Sequence, residues 1–289
     1  MTLIPDGPIR RVAYLGTPEV AIAPLEALLA AGFEIPVVIS RPDTRRGRGS
    51  TQTASPVKQA AQEHGLDVAD SLDALDRHEL DLAVVVAFGQ LIPASRLARL
   101  PFVNLHFSLL PRWRGAAPVE RAILAGDQVT GVCLMALEAE LDTGPLYSCR
   151  ELPIGEHENA HDLRGRLADV GADLLVAALR QGLAEPVPQS GEPTYAAKIT
   201  SADRQMDWQQ GAELLERQVR VGGAFTFWKG RRLKVHDAHV VTGDGPGVRV
   251  PTGDGVLQLL TVQPEGKAAM AAEQWAHGAH WAPGERFGS

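Results

Sequence analysis

Residues 103–118 read V-N-L-H-F-S-L-L-P-R-W-R-G-A-A-P, and two of them have the chemistry to handle a proton and a developing oxyanion. Alternate side chains on a strand share a face, so Asn104 and His106 would point the same way. An amide can orient a carbonyl or an amine, and an imidazole exchanges protons near neutral pH. The same spacing also fits a turn-capping asparagine beside an ordinary half-buried histidine, and the triplet alone does not separate the two. Ser108 follows closely, but without a G-x-S-x-G elbow it reads poorly as a nucleophile. Asp142, in L-D-T-G-P at 141–145, is a third candidate. Its carboxylate suits the orientation of an imidazole, and it suits turn stabilisation equally well.

These residues need a scaffold. Arg11 to Gly16 reads as a buried first strand. Thr17-Pro18-Glu19 then reads as a helix start, with Thr as cap, Pro in the first turn and Gly32 as the stop. A second strand at 34–40 completes a βαβ unit, which predicts a parallel, twisted α/β sheet. The single glycine of the first turn and the lack of an acidic end to the second strand argue against a dinucleotide site. Ser55-Pro56 opens another helix. Asp81 to Phe88 is the most apolar strand and ends at Gly89. Ligands of open α/β sheets sit beyond the carboxyl ends of the strands, so the turn from Phe88 to Pro93 and the turn after His106 are candidate pocket walls. A helix at 118–125, a strand at 129–137 and a long amphipathic helix at 159–181, stopped by Gly182, follow.

The Pro-rich stretch 184–200 marks the best boundary. Beyond it a helix at 212–221 precedes short strands at 224–228, 231–241, 246–250 and 255–262, the pattern of a small β-barrel. The expected division is a domain over 1–190, a linker at 191–204 and a barrel domain over 205–289.

The chain of 289 residues is 45% hydrophobic and 22% charged, the balance of a globular protein, with no apolar run long enough to span a bilayer. The N-terminal residues lack the apolar core of a signal peptide, so a cytoplasmic location is expected. Cys133 and Cys149 lack metal-ligand spacing, and a chain of this length does not need a disulfide framework. The net charge of −7 lies wholly in residues 1–199. No general basic field exists, so nucleic-acid contact would rest on local clusters. One is R-P-D-T-R-R-G-R-G at 41–49, with four arginines. The other is Lys229, Arg231, Arg232 and Lys234 on one hairpin. Each is either a phosphate-gripping element or a solvated charge run.

Nearly the whole chain resembles the methionyl-tRNA formyltransferase family. The matching pieces are L-G-T-P-E near the start, R-P-D-T-R-R-G-R-G, S-P-V-K at 55–58, V-V-V-A-F-G-Q-L-I-P at 84–93, N-L-H-F-S-L-L-P-R-W-R-G-A-A-P at 104–118, A-G-D at 125–127, L-D-T-G-P at 141–145, M-D-W at 206–208 and G-D-G-V-L-Q-L-L-T-V-Q-P-E-G-K-A-A-M at 253–270. The resemblance implies a Rossmann-like formyltransferase domain followed by an OB-like barrel. It also implies transfer of a formyl group from 10-formyltetrahydrofolate to the α-amine of methionyl initiator tRNA, without a metal.

Matched by position, Asn104, His106 and Asp142 take the catalytic places. Phe88, Gly89, Leu91, Ile92, Pro93, Ser108, Leu109, Leu110, Pro111, Leu141 and Thr143 take those of the folate pocket. Arg41, Arg45, Arg46 and Arg48 take the place of the loop that enters the tRNA acceptor stem. With the hairpin residues Lys229, Arg231, Arg232 and Lys234 they make up the expected tRNA contacts. A monomer without membrane association is expected. Two other readings are a formyltransferase acting on a sugar-nucleotide amine and a non-catalytic tRNA-binding protein. Three departures from the family pattern stand out: Phe107, Glu140, and V-G-G-A-F-T-F-W at 221–228.

Overall fold

The computed structural model describes residues 7–45, 52–243, 245–282, 285 and 287. Contacts divide the chain into two units. The first comprises Met1–Pro118, Val129–Pro153 and Arg164–Ala196, and the second Val119–Gln128, Ile154–Leu163 and Ala197–Ser289. The division at 196/197 falls within the stretch expected to be a linker. Much of that stretch is ordered secondary structure, with a strand at Tyr195–Ala196 and a helical turn at Ser201–Arg204.

The first unit is built on a seven-stranded sheet. Its spatial order is Leu146–Pro153, Val129–Ala136, Phe102–His106, Leu82–Val86, Val12–Gly16, Val38–Ile39, Val68–Ala69. The last five strands run parallel, while Val129–Ala136 is antiparallel to both of its neighbours. Val12–Gly16 and Leu82–Val86 are buried along their whole length, as strands covered on both faces must be. From Val12–Gly16 the chain first builds outward to one edge, then returns to build the other half. The switch point therefore lies between Val12–Gly16 and Leu82–Val86, where α/β sheets open a crevice at their carboxyl ends.

Two local expectations are corrected. Thr17 does not cap a helix: its hydroxyl donates across the switch point to the Phe88 carbonyl at 3.0 Å, and the helical segment begins as a 3₁₀ turn at Glu19–Ala21 before Ile22–Ala30. The strand expected over 34–40 shrinks to Val38–Ile39, partly because Pro36 has no N–H to give to a ladder. By contrast, Ser55 does cap Pro56–Glu63, accepting from the Lys58 N–H.

Cys133 and Cys149 form a disulfide, contrary to the expectation of a chain without one. The antiparallel ladder between Val129–Ala136 and Leu146–Pro153 sets the two directly opposite each other. Neither motif nor spacing announces such a cross-strand pairing.

The second unit is an antiparallel sheet in the order Phe225–Trp228, Arg231–Val241, Val256–Pro264, Val248–Pro251, with Met270–Ala271 also on Val256–Pro264. Among the described residues the ladder does not return from Val248–Pro251 to Phe225–Trp228, so the expected barrel is a half-barrel. Its core takes Leu215 and Val219 from the helix Ala212–Val221, together with Met206, Trp208 and Trp275. The M-D-W string is thus a packing element. Met206 and Trp208 are buried, the Trp208 indole donates to the Thr226 hydroxyl at 2.9 Å, and Asp207 accepts from the Gln209 N–H.

Candidate active site

Asn104 and His106 lie on the Phe102–His106 strand, at its carboxyl end and on one face. Both are buried among apolar neighbours, with only 8% and 6% of their surfaces exposed. The Asn104 amide has no hydrogen-bond partner among the described residues. Its polar atoms are not sealed in the core, so the amide is open to pair with a ligand. His106 is fixed from two sides. Its Nε2 lies 2.9 Å from the Trp113 carbonyl, which accepts only, so the proton belongs on Nε2. Its Nδ1 then presents a lone pair toward the Asp142 Oδ2, 3.7 Å away. That separation is too long for a hydrogen bond but close enough to stabilise an imidazolium.

Asp142 is set by the backbone around it. It sits at a positive φ of 53°, and the Gly115 N–H donates to its Oδ2 at 2.8 Å. Gly144 pins the loop to the end of Val129–Ala136: a Cβ there would lie 1.9 Å from the Ala136 carbonyl oxygen. Only glycine permits that approach.

Gln189 completes the loop and was not singled out from the sequence. Its amide nitrogen donates to the carbonyls of Asp142 and Gly144 at 2.9 and 2.8 Å. Its carbonyl oxygen accepts from the Arg114 guanidinium at 2.6 and 3.0 Å. Tyr195–Ala196 pairs in parallel with Arg114–Gly115, and the Thr194 hydroxyl accepts from the Trp113 N–H. The stretch read as a boundary therefore buttresses both the His106 and the Asp142 partners. No sequence signal marks this role, because most of the contacts run through backbone atoms.

The other expected site residues fall into distinct settings. Phe88 and Ile92 are buried in the sheet core, whereas Gly89, Leu91 and Pro93 are exposed, all at the carboxyl edge shared with His106. Leu109 and Leu110 pack with Cys133, Met135 and Leu146. Pro111 is half-buried and follows a cis peptide bond. The Ser108 hydroxyl donates to the Arg112 carbonyl at 2.6 Å, so it closes a turn. Leu141 is exposed and Thr143 half-buried. Phe107 is buried, and Glu140 is exposed, its carbonyl accepting from the Thr143 hydroxyl.

Arg41 is exposed and runs alongside Gly89. Arg45 lies on the two-residue strand Thr44–Arg45, and Arg46 and Arg48 lie outside the described residues. The foot of this segment is tied down: the Lys58 ammonium pairs with Asp43 at 2.9 Å and Asp70 at 3.3 Å. The hydrogen bond to Asp43 raises the Lys58 pKa above its ordinary value.

In the second unit, Lys229 and Gly230 form a two-residue hairpin turn, both at positive φ. The Lys229 ammonium lies over the Trp228 ring and the Arg232 guanidinium over Phe225, at 4.9 and 3.6 Å. Arg231 and Lys234 are exposed. Trp228, Lys229, Arg231, Arg232, Lys267 and Trp275 border a cleft of about 410 Å³.

The formyl transferase family model matches residues 10–179, and the model of the formyl transferase C-terminal domain matches 198–280. A methionyl-tRNA formyltransferase of Jannaschia sp. is 41% identical, over 95% of this chain and 98% of the relative. One of Thermus thermophilus is 42% identical, over 96% and 99%. Among solved structures, the sugar 3N-formyltransferase WlaRD, crystallised in the presence of dTDP and 5-N-formyl-THF, shares the fold with a TM-score of 0.68 at 18% identity, covering 91% of this chain and all of that one. Two matched domains in the family's order and relatives above 40% identity along nearly the full length leave one assignment: the chain belongs to the methionyl-tRNA formyltransferase family.

Proposed function

We propose that this protein transfers the formyl group of 10-formyltetrahydrofolate to the α-amino group of methionyl initiator tRNA, with Asn104, His106 and Asp142 as the catalytic residues. The observation that carries the assignment of roles is the largely buried Asn104 side chain, its amide without a hydrogen-bond partner among the described residues, beside a histidine whose Nδ1 faces a carboxylate. The folate supplies an activated formyl carbon on nitrogen. As the methionyl amine attacks that carbon, negative charge grows on the formyl oxygen, and the Asn104 amide N–H donates to it. A preorganised donor of this kind is worth about 10²–10³ in rate. The amine must also lose a proton. His106 Nδ1 takes it, directly or through a water, and Asp142 stabilises the resulting imidazolium. The proton then goes to the departing folate nitrogen as its bond to the formyl carbon breaks.

Leu91 and Leu141 offer apolar surface at the strand ends, which suits a flat heterocycle held near Asn104. Arg41, Arg45, Arg46 and Arg48 serve as phosphate contacts, as do Lys229, Arg231, Arg232 and Lys234. Among the latter, Arg232 spends part of its charge on the Phe225 ring. Among the described residues no helix is long and apolar enough to cross a membrane, and we propose a cytoplasmic monomer.

The test is mass spectrometry of methionyl-tRNA after incubation with the enzyme and 10-formyltetrahydrofolate, alongside an amino-sugar nucleotide as rival acceptor. Formyl-methionyl-tRNA as the sole product is expected. Formylation of the sugar alone would overturn the assignment.

A further inference from the structure

The second unit brings together three metal-ligating side chains that formyl transfer does not use. His157 comes from the 155–158 turn, Glu216 from the helix Ala212–Val221 and His239 from the strand Arg231–Val241. One ligand atom from each lies within 4.8 Å of the other two. The His157 Nδ1 is 2.9 Å from the Glu216 Oε1, and the two imidazole centroids are 4.5 Å apart. We propose that these residues form a site for a single divalent transition-metal ion of the zinc class.

Four observations support it. Two imidazoles and a carboxylate are the donor set that zinc takes in three-ligand sites with an open fourth position. Glu216 is buried, at 7% exposure, where a carboxylate has to be held by cations or donors. The His239 Nδ1 is buried with no hydrogen-bond partner, a nitrogen left for something the chain does not supply. The turn carrying His157 is also held in place before any metal arrives. The Arg220 guanidinium donates to the carbonyls of Glu158 and Gly155 at 2.9 and 3.0 Å and lies 3.8 Å from the Glu216 Oε2. That leaves Oε1 as the ligating oxygen and Arg220 as the group orienting it.

Tetrahedral zinc bonds of about 2.0–2.2 Å set ligand atoms roughly 3.3–3.6 Å apart, so His157 Nδ1 would part slightly from Glu216 Oε1, now at 2.9 Å, a rotamer adjustment for a side chain that is exposed. A bound ion would cross-link turn, helix and strand of this unit. Its fourth position would face solvent on the His157 side. No sequence spacing marks this cluster, because His157 and Glu216 are 59 residues apart and join only in the fold.

The experiment uses untagged, chelator-treated full-length protein, titrated with Zn²⁺ by calorimetry and with Co²⁺ by visible absorption. One equivalent of each ion should bind, with Co²⁺ giving the intense ligand-field bands of low coordination number. His157→Ala and His239→Ala should each weaken binding more than about 100-fold, beyond the 10–100-fold typical of outer partners. His236→Ala, on the same strand, should change nothing. Because His157 is exposed, its variant tests the site without disturbing the core. Absence of stoichiometric binding, or binding that survives His157→Ala, would overturn the proposal.

Discussion

At the scale of single residues, the proposed chemistry depends on a few atoms. His106→Ala and Asn104→Ala should each lower kcat by about 10² or more, the usual loss for an acid–base group or oxyanion donor. Asp142→Asn keeps the shape and the Gly115 contact but removes the charge facing Nδ1. Its kcat should fall by more than its folate KM rises. A change confined to folate affinity would make Asp142 a pocket wall. Gln189 is a positioning residue, and its variants separate its two contacts. Gln189→Ala should cost about 10-fold in kcat as the 142–144 loop loses two donated hydrogen bonds. Gln189→Glu can still accept from Arg114 but cannot donate to the carbonyls, so it should behave like the alanine variant. Full activity in Gln189→Glu would show that the Arg114 contact is the important one. Asn104, His106 and Asp142 were open to proposal from the sequence because their side chains suit the chemistry and stand within short strings. Gln189, the Trp113 carbonyl and the Gly115 N–H were not, because a backbone atom or an ordinary amide acquires its role only through a distant partner.

At the scale of elements, the strands with strong buried patterns were legible almost to their ends, among them Leu82–Val86 and Val129–Ala136. Capping was legible where it is local, as at Ser55, and not where a hydroxyl prefers a distant carbonyl, as at Thr17. Two elements of the second unit make separate stability predictions. Trp208→Ala empties a site in its core and orphans the Thr226 hydroxyl, so chemical unfolding should show a loss of about 3–5 kcal/mol. Unfolding free energy within 1 kcal/mol of the parent would place the indole outside the cooperative core. The second prediction concerns Asp203, whose carboxylate receives the Arg121 guanidinium at 2.8 Å and the Thr200 N–H and hydroxyl at the start of Ser201–Arg204. The Arg121 hydrogen bond holds its carboxyl well below the usual range. A depressed folded-state pKa contributes stability above the unfolded value of about 3.9, and that stability is lost as pH falls through the folded pKa. Melting followed by tryptophan fluorescence should therefore separate Asp203→Asn from the parent near neutral pH, with the gap starting to narrow below about pH 4 and closing only as pH falls on through the depressed folded value. A constant gap would mean that the group acts by shape alone.

At the scale of the whole molecule, the problem is how a chain with a net charge of −7 binds a polyanion. A distributed field would repel RNA, so attraction has to be concentrated in a few places. The two basic clusters are proposed to meet that need differently. The arginine segment at 41–49 belongs to the first unit, and Lys58 ties its foot through Asp43 and Asp70. The hairpin cluster sits on a two-residue β-turn, with Lys229 and Arg232 over aromatic rings. Phosphate contacts release counterions, so each lost contact should reduce the slope of log affinity against log salt by about 0.7–0.9. Arg45→Ala/Arg46→Ala/Arg48→Ala and Lys229→Ala/Arg231→Ala/Lys234→Ala should each flatten the slope for tRNA, and each should raise KM for methionyl-tRNA. The loop variant should also lower kcat, because its segment lies in the unit that carries His106 and is expected to deliver the methionyl end there. The hairpin variant should leave kcat at saturating tRNA unchanged. Neither should alter binding of a folate analogue, whose proposed walls are the 88–93 and 141–145 segments. If both variants keep the parent's salt slope and tRNA kinetics, these arginines and lysines are solvated surface, and the acceptor must be sought among smaller amines.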